Sequence, residues 1–218
     1  MDRNRIILFT ILWIISFPVF SQVKYGVETG YIFNGFNTTN VEYKTKPSFQ
    51  IGGFISYDTD VESRIYFSHR GISLTGFIPK YADKIEKVDF YGNYIELIPI
   101  SVDFWTKNRK LITDKLTLNI NAGIYTSYCF GAKGSVVIDG EKVELKNIYK
   151  NSELTINGLK YDFKAFRPFG FGTCIGFKFL FLDNYLFRAY FPISFINLTK
   201  YDKIIQYHAI GLSLGYVF

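Results

Sequence analysis

Leu116-Thr117-Leu118-Asn119-Ile120-Asn121-Ala122-Gly123-Ile124-Tyr125-Thr126-Ser127-Tyr128-Cys129-Phe130 is the stretch that decides the fold. Even positions from Leu116 to Phe130 are apolar apart from Thr126; odd positions are mostly Thr, Asn, Gly and Ser. Side chains of a strand alternate between its two faces, so this is one strand with an apolar and a polar side. The same period recurs along the chain. Val23, Tyr25, Val27, Thr29, Tyr31 and Phe33 share a face, with Ile32 an exception on the other. Phe49, Ile51, Gly53, Ile55 and Tyr57 form a second strand, and Val61, Ile65 and Phe67 mark a third after a turn at Asp58-Thr59-Asp60. Further strands span 167–181, 185–195 and 209–218.

The strand at 91–105 slips phase. Ile95 and Leu97 are apolar at odd positions, Ile100, Val102 and Phe104 at even ones, and Pro99 lies between. A proline inside a strand belongs at an edge or a bulge. A β-bulge near Ile98-Pro99 is therefore expected, and it brings Glu96 and Asp103 to one face.

About eight strands result, with short links near 58–60, 106–115 and 182–184 and long ones near 34–47, 71–90, 131–166 and 197–206. Short turns at one end and long loops at the other are the layout of an outer-membrane barrel. Asp139-Gly140 and Asn157-Gly158 are hairpin signals of the type I′ turn. They predict a β-rich extracellular cap within 131–166. The expected fold is all-β: a transmembrane antiparallel up-and-down barrel with β-rich extracellular loops.

Volume decides which face is outside. The apolar face carries Phe169, Phe171, Phe177, Phe179, Phe187, Phe191 and Phe195. An eight-stranded barrel has an interior that ordinary side chains already fill. The rings therefore face lipid, and the Gly, Ser, Asn and charged face lines a narrow lumen. Tyr57, Trp105, Tyr128 and Tyr185 suit interfacial girdles. The expected lumen charge network is Glu28, Glu62, Arg64, Glu96, Asp103, Lys178 and Arg188, with Lys24 of the same parity. Two uses compete: an ion path, or a plug of paired charges. The plug is preferred, because small barrels lack an aqueous channel and buried charges need partners.

The 218 residues suffice for one domain. Residues 1–21 read as a signal peptide, with Arg3 and Arg5 before an apolar run from Ile6 to Phe20 and small residues at Val19 and Ser21 before Gln22. The mature domain is then 22–218, exported to the bacterial outer membrane. A net charge of +6 is too mild to imply nucleic acid. No metal-ligand spacing, cofactor motif or catalytic set is apparent. His69 and His208, the two histidines, each lack a Ser two residues on and read as interfacial side chains. Cys129 and Cys174 share the lumen parity at different heights and are expected to stay unpaired.

Phe67-Ser68-His69-Arg70-Gly71 followed by Tyr94-Ile95-Glu96-Leu97-Ile98-Pro99 resembles the paired motifs of the outer-membrane β-barrel family often labelled porin-family or PorT-like. Asn121 to Tyr125 is similar to that family's fifth strand, and Phe169-Gly170 with Gly172 to Gly176 to its glycine-rich sixth. The resemblance covers most of 22–218. It implies a Gram-negative envelope protein, and the PorT branch implies a link to protein secretion. Leu214, Tyr216 and Phe218 resemble the assembly signal read by outer-membrane insertion machinery. Expected partners are thus outer-membrane lipid, that machinery, and a protein partner at loop 131–166. The expected role is structural or an interaction through extracellular loops; the alternatives are a narrow porin-like channel for small solutes and, behind it, a membrane-embedded lipid-modifying enzyme.

Overall fold

The computed structural model describes residues 23–38, 42–57, 60–75, 85–109, 116–150, 152–163, 167–197 and 205–218. The expected signal peptide, and residues 58–59 of the first short turn, lie outside them. The strands are β1 (Val23–Thr38), β2 (Glu42–Tyr57), β3 (Val61–Thr75), β4 (Ile85–Arg109), β5 (Leu116–Ile138), β6 (Glu141–Leu145), β7 (Ser152–Ile156), β8 (Leu159–Phe163), β9 (Phe169–Phe181), β10 (Tyr185–Asn197) and β11 (Ile205–Val217).

Antiparallel pairing closes eight of them into a ring, β1-β2-β3-β4-β5-β9-β10-β11, with β11 back on β1. The ring is staggered. From Glu28, the paired residues Gly52, Tyr66 and Glu96 lead to Ser127 on β5. The other way, Gly215, Leu186 and Leu180 lead to Thr117. The offset from Thr117 to Ser127, with strand rise and spacing, tilts the strands by about 40°. Closure pairs the backbone groups round the wall, the condition lipid imposes.

The outer wall is apolar. Phe104, Phe195, Tyr31 and Leu214 are each 60% exposed or more, within a belt that includes Ile51, Ile65, Ile124, Phe177 and Phe187. Left in water, each such side chain forgoes about 1.5–3 kcal/mol, so the wall is stable only against an apolar solvent. The interior carries the buried charges and Ser, Asn and Gln, with Tyr66, Tyr125 and Tyr190 among its large rings. Ile32 is indeed turned inward.

Interior glycines make room for two of those rings. Tyr66 and Tyr190 stack with centroids 5.5 Å apart and planes 3° apart. A Cβ on Gly52 would sit 2.5 Å from the Tyr66 ring, and one on Gly211 would fall inside the Tyr190 ring's contact distance.

The bulge is where the phase slip places it. Arg64 faces Ile98 while Glu62 faces Ser101, so β4 carries one extra residue there. The β4–β5 register shifts between Leu97 and Ser101 as well. Ser63 hydroxyl donates to the Pro99 carbonyl at 2.6 Å. Glu96 and Asp103 are both buried on the interior face.

The long links are shorter than expected. Much of 34–47 and 71–90 is strand: β1 runs to Thr38, β2 starts at Glu42, β3 runs to Thr75 and β4 starts at Ile85. β5 continues from Phe130 to Ile138, and β4 continues through 106–109. Above the lipid belt, inward positions become apolar. Ile72, Leu74, Val88, Phe90, Val136 and Ile138 form a buried cluster with Leu145, Ile148 and Leu154. Water surrounds this part, so its core is apolar and its outer face polar, the reverse of the membrane segment.

Both hairpin turns form. Asp139, Gly140, Asn157 and Gly158 all have positive φ, between 49° and 77°. Asp139-Gly140 joins β5 to β6, and Asn157-Gly158 joins β7 to β8. The turn at 182–184 has positive φ at Leu182 (52°) and Asp183 (61°).

Candidate functional site: a paired interior and a covered mouth

Six ionised side chains meet low in the barrel. Arg188 spans to Glu62 through both terminal nitrogens; its Nη2 donates to Glu62 Oε2 at 3.1 Å and its Nη1 bonds Oε1. Its Nε lies 3.5 Å from Glu28 Oε2. Arg64 Nε is 3.3 Å from Glu62 Oε1, and its Nη2 donates to Ser101 Oγ at 3.1 Å. Lys178 Nζ lies 3.6 Å from Glu62 and 2.8 Å from Asp103. Tyr66 and Ser213 hydroxyls donate to Glu28 at 2.8 and 2.5 Å, and Asn119 donates to Asp103 at 2.5 Å. Three cations thus face three anions. Charges so buried cost several kcal/mol each unless they are paired, and here each lies within ion-pair distance of an opposite charge.

Glu96 lies higher, apart from that cluster, with a partner the sequence reading assigned to a motif rather than to the lumen. Arg70 is buried and pairs with Glu96. Ser68 donates to Glu96 at 2.5 Å and accepts from Arg70 Nε at 3.2 Å. The Arg70 guanidinium also lies 5.0 Å from the Tyr94 ring centroid. Lys24 is a correction: it has the interior parity, but it lies at the end of β1 and is exposed.

Neutral polar groups of the interior also pair with one another. Tyr190 hydroxyl donates to Gln50 Oε1, and Asn34 donates to Ser48 at 3.0 Å. These residues were missed because uncharged side chains at the right parity carry no signal of their partners. Beside Arg70, between Ser127, Gly170 and Ser194, about 30 Å³ of space remains, room for a single water.

The upper mouth is covered. Tyr149, in the segment after β6, places its hydroxyl 3.3 Å from that of Tyr94. Burial raises the Tyr149 pKa well above the usual phenol range, and nearby Tyr94 and Cys129 add to this. Ile148 is fully buried within the apolar cluster.

The remaining sequence candidates are scattered. His69 is on the outer wall, 2.8 Å from Asn93 Oδ1 and stacked on Tyr91 at 5.8 Å. His208, on β11, faces Gly35 and lies three strands round the ring from His69. Cys129 and Cys174 are buried and unbonded to each other. Cys174 pairs with Gly123, six residues below Cys129 on β5, about 20 Å along the strand. Leu214, Tyr216 and Phe218 face outward on the closing strand. Phe218 stacks on Tyr25 at 5.5 Å and its N–H donates to the Tyr25 carbonyl at 2.8 Å. Among the described residues no group of three or more His, Cys, Asp or Glu could hold a metal ion.

No protein-family model matches the chain, and no curated protein does; the porin-family and PorT-like likeness remains one of motifs. Solved structures are similar in strand layout. Ail, the attachment invasion locus protein of Yersinia pestis, has 13% identity and a TM-score of 0.47, over 89% of this chain and 98% of that one. The N-terminal β-barrel domain of OprF from Pseudomonas aeruginosa has 14% identity and a TM-score of 0.41, over 90% and 100%. OprG from the same organism has 10% identity and a TM-score of 0.44, over 91% and 97%.

Proposed function

We propose that this chain is a bacterial outer-membrane barrel that works by contact at its extracellular end and conducts nothing through its lumen. One observation carries the reading: the interior is filled by a charge-balanced cluster, and apolar side chains and Tyr149 cover it. An ion path needs groups that a mobile ion can replace or follow. Here each carboxylate of the lower cluster already meets a cation of the chain.

The barrel wall then serves as an anchor. Strands β3 to β6 extend above the lipid belt, and β7 and β8 form a separate two-stranded sheet. Lys142, Glu144, Glu153 and Lys160 are well exposed there. A protein partner would meet this charged rim. The outward Leu214, Tyr216 and Phe218 are the side chains that insertion machinery would read.

The test is fractionation followed by protease treatment of intact cells. The reading expects the folded protein in the outer-membrane fraction, cleavage within 131–166, and protection of the remainder. Recovery in a soluble fraction, or cleavage only after the envelope is opened, overturns it.

A further inference from the structure

The wall of the ring is broken between β1 and β2. Pairing of β1 with β2 runs from Val23↔Tyr57 to Tyr31↔Phe49 and, among the described residues, no further. Yet β1 continues to Thr38 and β2 begins at Glu42. Above the break each strand keeps one partner: β1 stays on β11, and β2 stays on β3. The cause lies in β2. Its register against β3 shifts between Lys46 and Phe49, and Pro47 has no N–H to give β1. Ser48 turns inward, accepting from Asn34 and from the Gly71 N–H.

The result is a cleft of about 470 Å³ lined by Tyr31, Ile32, Phe33, Thr45, Lys46 and Ser48. Its position is set by the lipid belt. The outward run of β1 ends with Tyr31 and Phe33, 63% and 52% exposed, after a length of about 9–11 residues that spans a bilayer core. The cleft therefore opens where acyl chains meet headgroups. Strand edges that do not pair with each other are tolerated at that level and not deeper.

The rim is cationic. Lys46 Nζ lies 3.1 Å from Asp89 and 4.6 Å from the Tyr91 ring centroid. Lys87 lies 2.9 Å from the same carboxylate, and Lys44 is exposed beside them on β2. Lys46 and Lys87 share one aspartate and Lys44 stands exposed on the same strand as Lys46, which leaves positive charge facing the headgroup layer.

We infer that this cleft binds a phosphorylated lipid of the surrounding outer leaflet, with an acyl chain against Tyr31 and Phe33 and a phosphate on Lys44 and Lys46. The inference rests on the outer-membrane reading. It is continuous with the lipid-facing wall, and its charge complements a phosphate.

The experiment uses the full folded protein in zwitterionic detergent and native mass spectrometry. The probes are a diphosphorylated lipid A, its dephosphorylated form, phosphatidylethanolamine and inorganic phosphate. Wild type retains the diphosphorylated lipid best; Lys44→Ala with Lys46→Ala weakens it by about tenfold or more, as expected for loss of two charge-assisted contacts. Phe33→Ser also weakens it, whereas Lys24→Ala with Lys107→Ala, at the other end of the barrel, leaves it unchanged. Equal retention by the double variant, no preference for phosphate, complete competition by inorganic phosphate, or dimers in place of lipid adducts overturns the inference. Heat-modifiable gel mobility in vesicles separates the two failures. A protein that folds in vesicles but retains no lipid refutes the cleft alone; one that never enters vesicles refutes the membrane reading with it.

Discussion

Arg188 on β10 and Glu62 on β3 are 126 residues apart in the chain and meet across the barrel interior in a two-point ion pair. Neither strand neighbours the other in the ring. The pair therefore reports the closed ring and not a local hairpin.

Arg188→Met leaves Glu62 and Glu28 buried beside one cation fewer. Breaking a buried pair costs about 3–5 kcal/mol. Urea unfolding of the detergent-folded protein should show a loss of that size. Arg188→Met combined with Glu62→Met should lose clearly less than the single change, because the cluster then returns to balance, with Arg64 and Lys178 against Glu28 and Asp103. Equal losses would mean that the pair is not formed.

Gly211→Ala tests the stacked tyrosines. The new methyl group has no space beside Tyr190, and overpacking costs about 1–3 kcal/mol. Gly211→Ala with Tyr190→Phe should not rescue stability, since the ring itself makes the clash, whereas Tyr190→Ser should relieve part of it. The same unfolding assay reads both.

Leu182→Gly should stabilise the protein. Leu182 holds a φ of 52° and is 43% exposed, so its side chain contributes strain and little packing. An L-residue in that region costs about 1–2 kcal/mol, and glycine removes most of it less its own entropy cost. Unchanged or lower stability would contradict the turn geometry.

Asp89 gives a pH signature above the lipid belt. Burial would raise its pKa, but a hydrogen bond from Ser73 and the ammonium groups of Lys87 and Lys46 outweigh this and hold it at about 2. A carboxyl lowered from 3.8 contributes stability above its unfolded value, and that contribution fades as pH falls through the folded one. Carboxyl-carbon NMR of the folded protein should show a midpoint near 2, and Asp89→Asn should flatten stability between roughly pH 4 and pH 2. A midpoint near 4 would mean that the two lysines do not hold it.

The membrane part of this fold was legible because lipid imposes one rule on every strand. Outward positions are apolar, so Val27, Ile51, Ile65, Ile124 and Phe187 can be read by parity alone. Pro99 and the phase slip around it marked the bulge directly. The part above the lipid was hidden by an inversion. On β3 the inward parity passes from Glu62 and Arg64 to Ile72 and Leu74 within ten residues. An eye following polar-in alternation stops at that change and reads a loop. Arg70 stands at the boundary, which is why its pairing with Glu96 went unseen. Lys24 shows the opposite error, since parity says which face a residue takes and not whether the strand end leaves it in solvent. Ion-pair partners depend on ring closure and stagger, which no single strand carries.

A closed, filled lumen passes no ions, and conductance across a planar bilayer reads this. The folded wild-type protein, with residues 131–166 intact, should give no steady conductance above the bare bilayer. Steady, reproducible conductance steps from that same protein would mean that the lumen is open.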